Sequence, residues 1–434
     1  MLLVAHIGIC CISLIALATT AASNPFDPAV FHILFLPQRL VVAVTVVAAF
    51  ALIAIWFVYA PATIGYYIGI YLYSMVLSYL WLNCFSDLDY NHILSGSSAF
   101  LSCMLFLLPV LFVARPFSID VRLSLAAFDR LLVLLLCSAA IVIFAGASYS
   151  FSFVSIDEMA AARESLATPK VLNYFLAITM SAVLPFTFAG LVARQNYWLA
   201  AVAITLQFFL YPITLSKLAL FAPFWLIALL LLTKAFEFRL ASILSLLLPM
   251  LLALLAALMI GRKAELPFSV VNFRMIAVPA VGLDIYNDFF SRHELTHFCQ
   301  VSIAKASLGC TYDVQLSIIM HQYYHLGNFN ASLFATEGIA SVGPWLAPLV
   351  GFGCGFVVAI GNRVSVDLSP RFVLLSGAVL PQILLNVPLT VALVTGGMGL
   401  LYLLWLVTPR ALHFSQDSSS SDAPLKEVPT QQIK

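Results

Sequence analysis

The chain has 434 residues, 63% of them hydrophobic and 9% charged, with a mean hydropathy of +1.05. Soluble domains carry about 25% charged residues, so this composition excludes a soluble enzyme and a nucleic-acid binder and makes the bilayer the solvent. The formal net charge of +1 indicates no acidic partner in bulk and leaves function to the local placement of charge.

A spanning helix needs about 20 mostly apolar residues. Twelve windows meet this: 2–22, 40–59, 62–84, 96–114, 131–151, 171–191, 197–214, 218–233, 240–260, 343–361, 372–388 and 391–408. They predict an all-α polytopic membrane protein with ten to twelve transmembrane helices. Residues 2–22 lack the basic start of a signal peptide and have a longer apolar stretch than one, so they read as the first span. The windows 197–214 and 218–233 are short and separated only by Leu215, Ser216 and Lys217. The last two meet around Pro388, as a tight hairpin or one broken helix.

Counted over alternate short loops, one set holds Arg115, Arg122, Arg130, Arg194, Lys234, Arg239, Arg363 and Arg371, and the other holds Arg39, Arg163, Lys170 and Lys217. The excess of basic residues assigns the first set to the cytoplasm, which predicts both termini inside. The loop with Asp87 and Asp89 then falls outside. The expected organisation is residues 1–260 with about nine spans, 261–342 as one long extracytoplasmic loop, 343–408 with about three spans, and 409–434 as a cytoplasmic tail. That tail is rich in Ser, Pro and charge and is expected to be disordered.

The long loop carries His293, His297, His321 and His325, half of the histidines, together with Arg262, Lys263, Arg274, Arg292 and Lys305. Cys299 and Cys310 lie in the same loop on the expected oxidising side and are candidates for a disulfide. Residues 279–298 place Val281, Ile285, Phe289 and Phe290 at helical spacing, with Asp284, Asn287, Asp288 and Arg292 between them. This predicts an amphipathic helix on the outer leaflet. Within it, His293-Glu294-Leu295-Thr296-His297 matches H-E-x-x-H, which on a helix presents two imidazoles to zinc with the glutamate as base. The competing interpretation is the polar face of a surface helix. His321 and His325 are four apart and would share a face of a second short helix, suited to interfacial packing or ligand hydrogen bonding more than to metal.

The arginines make the outer face locally cationic, suited either to lipid phosphates or to a phosphorylated substrate, which the planar guanidinium pairs bidentately. Glu337 is the only acid between Asp313 and Asp367 and approaches an apolar span. Such a carboxylate serves either acid–base chemistry or a helix dipole.

Residues 328–355 read NFNASLFATEGIASVGPWLAPLVGFGCG: an Asn/Ser-rich approach, an acid, Val-Gly, then a span with spaced glycines. With Phe273-Arg274-Met275 and residues 286–297 upstream, this stretch resembles the C-terminal region and large outer loop of bacterial oligosaccharide repeat-unit polymerases, the Wzy-type O-antigen polymerases. An arginine-to-glycine spacing found in some members does not follow Arg262, Arg274 or Arg292.

The resemblance implies glycosyl transfer at the periplasmic face of the bacterial inner membrane, from undecaprenyl-diphosphate-linked oligosaccharide and without a cofactor, in contact with membrane lipid and with a possible chain-length regulator protein as partner. Expected catalytic residues are Arg274 and Arg292 for the diphosphate and Glu337, His293 or His297 as base. Expected substrate-binding residues are His321, Tyr324, His325, Asn328 and Asn330. The alternatives are an O-antigen ligase, a flippase or transporter of lipid-linked sugars, and a membrane zinc metalloprotease using the H-E-x-x-H segment.

Overall fold

In hydrocarbon, a spanning backbone must satisfy its own hydrogen bonds, and apolar runs therefore fold as helices. The computed structural model describes residues 1–19, 31–117, 121–155, 158–159, 162, 168–260, 268–300, 310–326, 331–410 and 412. Among these there is no strand, only an isolated antiparallel bridge between Ile33 and Ser86.

Eight helices among the described residues are long and apolar enough to cross a membrane. They are α2 (Pro37–Tyr59), α4 (His92–Phe112), α5 (Leu125–Ala147), α6 (Lys170–Ala193), α7 (Tyr197–Thr214), α8 (Lys217–Ala235), α9 (Phe238–Ile260) and α12 (Phe334–Ser365). Between them lie α1 (Leu2–Thr19), α3 (Ile64–Asn83), α10 (Val278–Arg292) and α11 (Leu316–Tyr324). The chain is thus an all-α, multi-pass membrane protein. The last two apolar windows are each broken. Residues 372–388 fall on α13 (Pro370–Ser376) and α14 (Leu380–Asn386), and residues 391–408 on α15 (Leu389–Val394) and α16 (Met398–Val407). The second break is at Gly396 and Gly397, where Gly397 has φ +76° and turns tightly against Ala182 and Ser181.

The central element is α3. All 20 of its residues are buried, against α1, α2, α4, α9, α10, α12, α13 and α14. Its sequence carries five tyrosines and two serines. Several of these polar groups bond to neighbouring elements: the Tyr67 hydroxyl donates to the Ala378 carbonyl at 3.0 Å, Tyr71 and Ser245 pair at 2.9 Å, and His6 meets Ser74 at 2.7 Å.

Small residues let the helices approach. On α12, Gly351 and Gly355 lie so close to α4 that an added Cβ would be 2.9 Å from the Ser102 carbonyl and 2.5 Å from that of Phe106. Below them Asn362 accepts from the Gly65 amide at 2.7 Å and donates to the Val110 carbonyl at 2.8 Å, joining α12, α3 and α4. At this end of the bundle Arg122 and Arg410 share Asp367, both at 3.1 Å, and Arg363 donates to the Arg115 carbonyl. Arg115, Arg122 and Arg363, assigned to one side by the charge count, therefore gather at one end.

Gly355→Leu is expected to destabilise the protein by about 1–3 kcal/mol through forced separation of α12 from α4. Gly353→Leu, where an added Cβ meets nothing within 4 Å, should shift stability by no more than about 0.5 kcal/mol. Melting of the two purified variants in detergent against wild type checks the pair.

Candidate functional site

The segment expected to lie on the leaflet is inside the protein. Residues Val278–Phe290 are all buried, and α10 packs on α3 and on the π-helical first turns of α12, Phe334–Ala340. A π-helical segment, Ser269–Ala277, leads into it, and its Asn272 donates to Ser13 and to the Met250 carbonyl at 2.7 and 3.0 Å. The amphipathic pattern is real, but its polar face meets protein. Asp284, Asp288 and Arg292 recur every fourth residue and so lie on one face of α10. That face meets the end of α3 and the turn into α4.

Asp284 is 3% exposed. Its carboxylate accepts from the Ser86 hydroxyl at 2.7 Å and, over a very short distance, from the Tyr90 hydroxyl. Tyr90 also donates to Asn83 Oδ1 at 2.9 Å, and Asn83 Oδ1 meets His92 Nδ1 at 2.8 Å. Asn287 donates to the Tyr79 hydroxyl at 3.2 Å. Burial raises the Asp284 carboxyl to about 6, partly opposed by the Tyr90 and Ser86 hydrogen bonds. Burial and the neighbouring Asp284 push the Tyr90 phenol well above its ordinary value, so it stays a donor.

One turn on, Asp288 is equally buried. It accepts from Arg292 at 2.9 Å and from the Tyr324 hydroxyl at 2.6 Å. Arg292 also donates to the Asp89 carbonyl at 2.7 Å, yet its side chain remains 44% exposed. Aromatic rings surround this face: His293 stacks on Phe289 at 3.9 Å, and Tyr323 stands edge-on to both. The arrangement holds the half-exposed Arg292 guanidinium in fixed orientation on Asp288, which stands one turn from Asp284, the carboxyl raised to about 6.

The expected site residues fall into separate places. Arg292 and Tyr324 join the cluster just described. Arg274 is exposed and sits in the π-helical segment, roughly 25 Å back along the helix axis from Arg292. The structure does not bring the two arginines together. Asn328 and Asn330 lie outside the described residues.

The H-E-x-x-H segment is not helical. α10 ends at Arg292, His293 is extended (φ −120°, ψ 159°), and His297 has φ +48°. His293 Nδ1 is spent on the Phe289 carbonyl at 2.8 Å. The two imidazoles therefore do not share a helical face, which corrects that expectation, and among the described residues no three His, Cys, Asp or Glu side chains gather as a metal site. The segment instead docks on α12. The Thr296 amide donates to the Ala340 carbonyl at 2.8 Å, and Leu295 lies against Gly343. Cys299 and Cys310 are joined as a disulfide with Cα atoms 5.1 Å apart. His321 and His325 do not share a helical face either, because α11 ends at Tyr324 and His325 is a left-handed cap at φ +58°.

Glu337 is buried in the π-helical turns of α12 and is bonded on both oxygens. Oε1 accepts from the Thr390 amide at 3.0 Å and its hydroxyl at 3.1 Å, and Oε2 from Thr336 at 2.5 Å. The Thr390 amide is one of the unpaired N–H groups at the start of α15, so Glu337 complements the dipole of a neighbouring helix. Tyr286 of α10, whose phenol is raised by burial and by the Glu337 charge, is the residue of that helix within reach of Glu337. Tyr286 is two residues from both Asp284 and Asp288, on the opposite face of the helix, so Glu337 is not part of the carboxylate cluster.

Asn83, Ser86, Tyr90, His92, Asp284 and Asp288 were not singled out as site residues from sequence. The i, i+4, i+8 recurrence of Asp284, Asp288 and Arg292 was the available signal. Fold and cluster together define a polytopic all-α membrane protein with a buried carboxylate–tyrosine network at one end of its bundle. No protein-family model, curated protein or solved structure matches the chain.

Two outcomes follow from this geometry. Because folding raises the affinity of Asp284 for its proton, the native state binds more protons between about pH 4 and about pH 6. The contribution of this group to stability therefore falls as pH rises through that window. The melting temperature of Asp284→Asn relative to wild type should rise across it, measured on purified protein in detergent. Separately, Glu337→Ala should cost about 2 kcal/mol by leaving buried donors unpaired. Thr390→Val should cost less in the Glu337→Ala background than in wild type, a coupling that a double-mutant cycle of melts reads out.

Proposed function

We propose that this protein polymerises undecaprenyl-diphosphate-linked oligosaccharide units at the extracytoplasmic face of a bacterial inner membrane. Arg292 takes the leaving diphosphate. Its exposed N–H groups face outward while Asp288 holds the fork in orientation, and fixed cations lower the barrier as charge gathers on the leaving group. The base is Asp284, reached through Tyr90. The acceptor hydroxyl gives its proton to Tyr90 Oη as Tyr90 passes its own to the Asp284 carboxylate. The acceptor oxygen then forms the new bond to the anomeric carbon, and the old carbon–oxygen bond breaks with its electron pair leaving on the diphosphate. Tyr323, Tyr312 and His293 offer ring faces to sugars.

The observation that carries this proposal is the half-exposed Arg292, tied to the buried carboxylate of Asp288, which stands one helical turn from Asp284, a carboxyl that burial raises to about 6. The resemblance of residues 270–360 to repeat-unit polymerases supports the substrate class. An O-antigen ligase would run the same chemistry onto a lipid A core acceptor. A flippase is favoured by one specific observation, the burial of Asp284 and Asp288 within the bundle, because buried ionisable groups in membrane proteins also mark transport paths.

Purified protein reconstituted with lipid-linked repeat units should produce a ladder of polymer on gels. Arg292→Ala and Asp284→Asn should each slow it by about 100-fold, with Arg292→Lys intermediate. A ladder unchanged in both variants would remove Arg292 and Asp284 from the mechanism. Movement of units across the vesicle without any new glycosidic bond would establish the transporter instead, and product only with a lipid A core acceptor would establish the ligase.

A further inference from the structure

A cleft of about 710 Å³ opens between α2 and α4, floored by the last turn of α3. Its volume lies within the roughly 300–1,000 Å³ of small-molecule sites. One end is polar: Arg39 stands at the rim, with Asn83 and His92 beside it. The rest is apolar, along Val42, Val46, Phe100 and Leu101. Phe100 packs on the buried Phe50, whose ring is 5.3 Å away. The opening faces sideways, and Val42, Ile93 and Leu101 on its edges are exposed at 56%, 84% and 43%. In a bundle whose outer surface meets lipid, this is an opening to the bilayer and not to water.

The charge in the cleft is one-sided. Arg39 spends one N–H on the Cys84 carbonyl at 3.2 Å, which orients the guanidinium and leaves its other donors available. No carboxylate is among the described residues that line the cleft. A single guanidinium above a short apolar channel matches a single phosphate with one alkyl chain beneath it. Along α2 the lining runs only from Arg39 to Val46, roughly 10 Å of helix, enough for the start of an acyl chain.

We propose that the cleft holds one anionic glycerophospholipid of the bilayer, its phosphate on Arg39 and its first acyl segment between α2 and α4. The lateral opening and the lone guanidinium favour a bilayer phospholipid over a diphosphate-linked carrier, whose two phosphates call for more than one cation. The site is distinct from Arg292 but not isolated from the carboxylates. Its wall residues Asn83 and His92 bond each other, and Asn83 accepts from Tyr90, the donor to Asp284. A bound lipid would press on that wall and set the position of Tyr90.

The test is native mass spectrometry of the full-length protein in detergent, titrated with phosphatidylglycerol, with zwitterionic phosphatidylcholine of the same chains, and with a long-chain isoprenoid monophosphate. Wild type should retain phosphatidylglycerol in preference to both. Arg39→Gln should weaken it about fivefold, and Arg39→Lys, which keeps the charge, by less. Ser97→Phe, which places a ring in the exposed α4 wall of the cleft, should abolish retention, with unchanged melting showing that the variants fold. Equal retention of phosphatidylglycerol and phosphatidylcholine, no effect of Arg39→Gln and Ser97→Phe, or stronger retention of the isoprenoid phosphate would each overturn the proposal. None of these results depends on polymer formation, so this site and the proposed activity stand or fall separately.

Discussion

Helix α3 has no lipid face, and much of the structure follows from that. Lipid tails are as apolar as leucine, so burying an apolar helix among others gains little from the hydrophobic effect inside a bilayer. What holds α3 in place is close approach and polar pairing. Gly65 lets its backbone reach the Val110 carbonyl and Asn362, and Gly69 meets Leu107 and Phe57. Its hydroxyls then have no water to turn to. Four of them are anchored on different neighbours: Tyr67 on the Ala378 carbonyl, Tyr71 on Ser245 of α9, Ser74 with His6 of α1, and Tyr79 with Asn287 of α10. The polar groups that make α3 a poor transmembrane segment by hydropathy are the ones that specify its partners.

The same constraint brings α10 inward. Its Asp284, Asp288 and Asn287 would be ordinary on a water-facing helix, yet they are buried, because Ser86 and Tyr90 donate to Asp284 and Tyr79 of α3 accepts from Asn287. Arg292 and Tyr324 complete the set from the exposed side. Each carboxylate oxygen of Asp288 has its own donor. Asp284 has two hydroxyl donors but no direct cation, and this difference leaves burial dominant in its titration.

The all-α membrane class was legible in the sequence because a 20-residue apolar run has one solution in a bilayer, but of the ten to twelve expected spans eight helices of spanning length are found among the described residues, and the last two windows are broken. The gathering of Arg115, Arg122 and Arg363 at one end was legible for the same kind of reason, since charge placement is local. The interior of the supposed loop was not. An amphipathic period shows that a helix has a polar face but not what that face meets. The same spacing at 279–298 serves a helix on a leaflet or one buried against a polar post such as α3. The H-E-x-x-H segment failed for a longer-range reason. Its helix stops at Arg292 while Thr296 and Leu295 dock on Ala340 and Gly343, more than forty residues away. No local signal encodes that contact. The broken helices at Gly377 and Gly397 were partly visible, as glycines inside apolar windows.

For Glu337 the structure supplies the partner behind one of its two expected roles, the helix dipole. A lone acid near the membrane must be paired or used, and the sequence offered no partner. The partner is a backbone amide, Thr390, which no side-chain pattern advertises. Residue 388 is proline, so α15 begins abruptly after it, with unpaired N–H groups inside the protein. A buried carboxylate on an adjacent element can answer that need. Glu337 thereby fastens the π-helical start of α12 to the C-terminal helices, and through Ala340 and Ser341 the same turns receive the segment that follows α10. The acid sits where two discontinuous helices must be held together. Asp284, the carboxyl that burial raises to about 6, lies on the opposite face of α10, bonded to Ser86 and Tyr90.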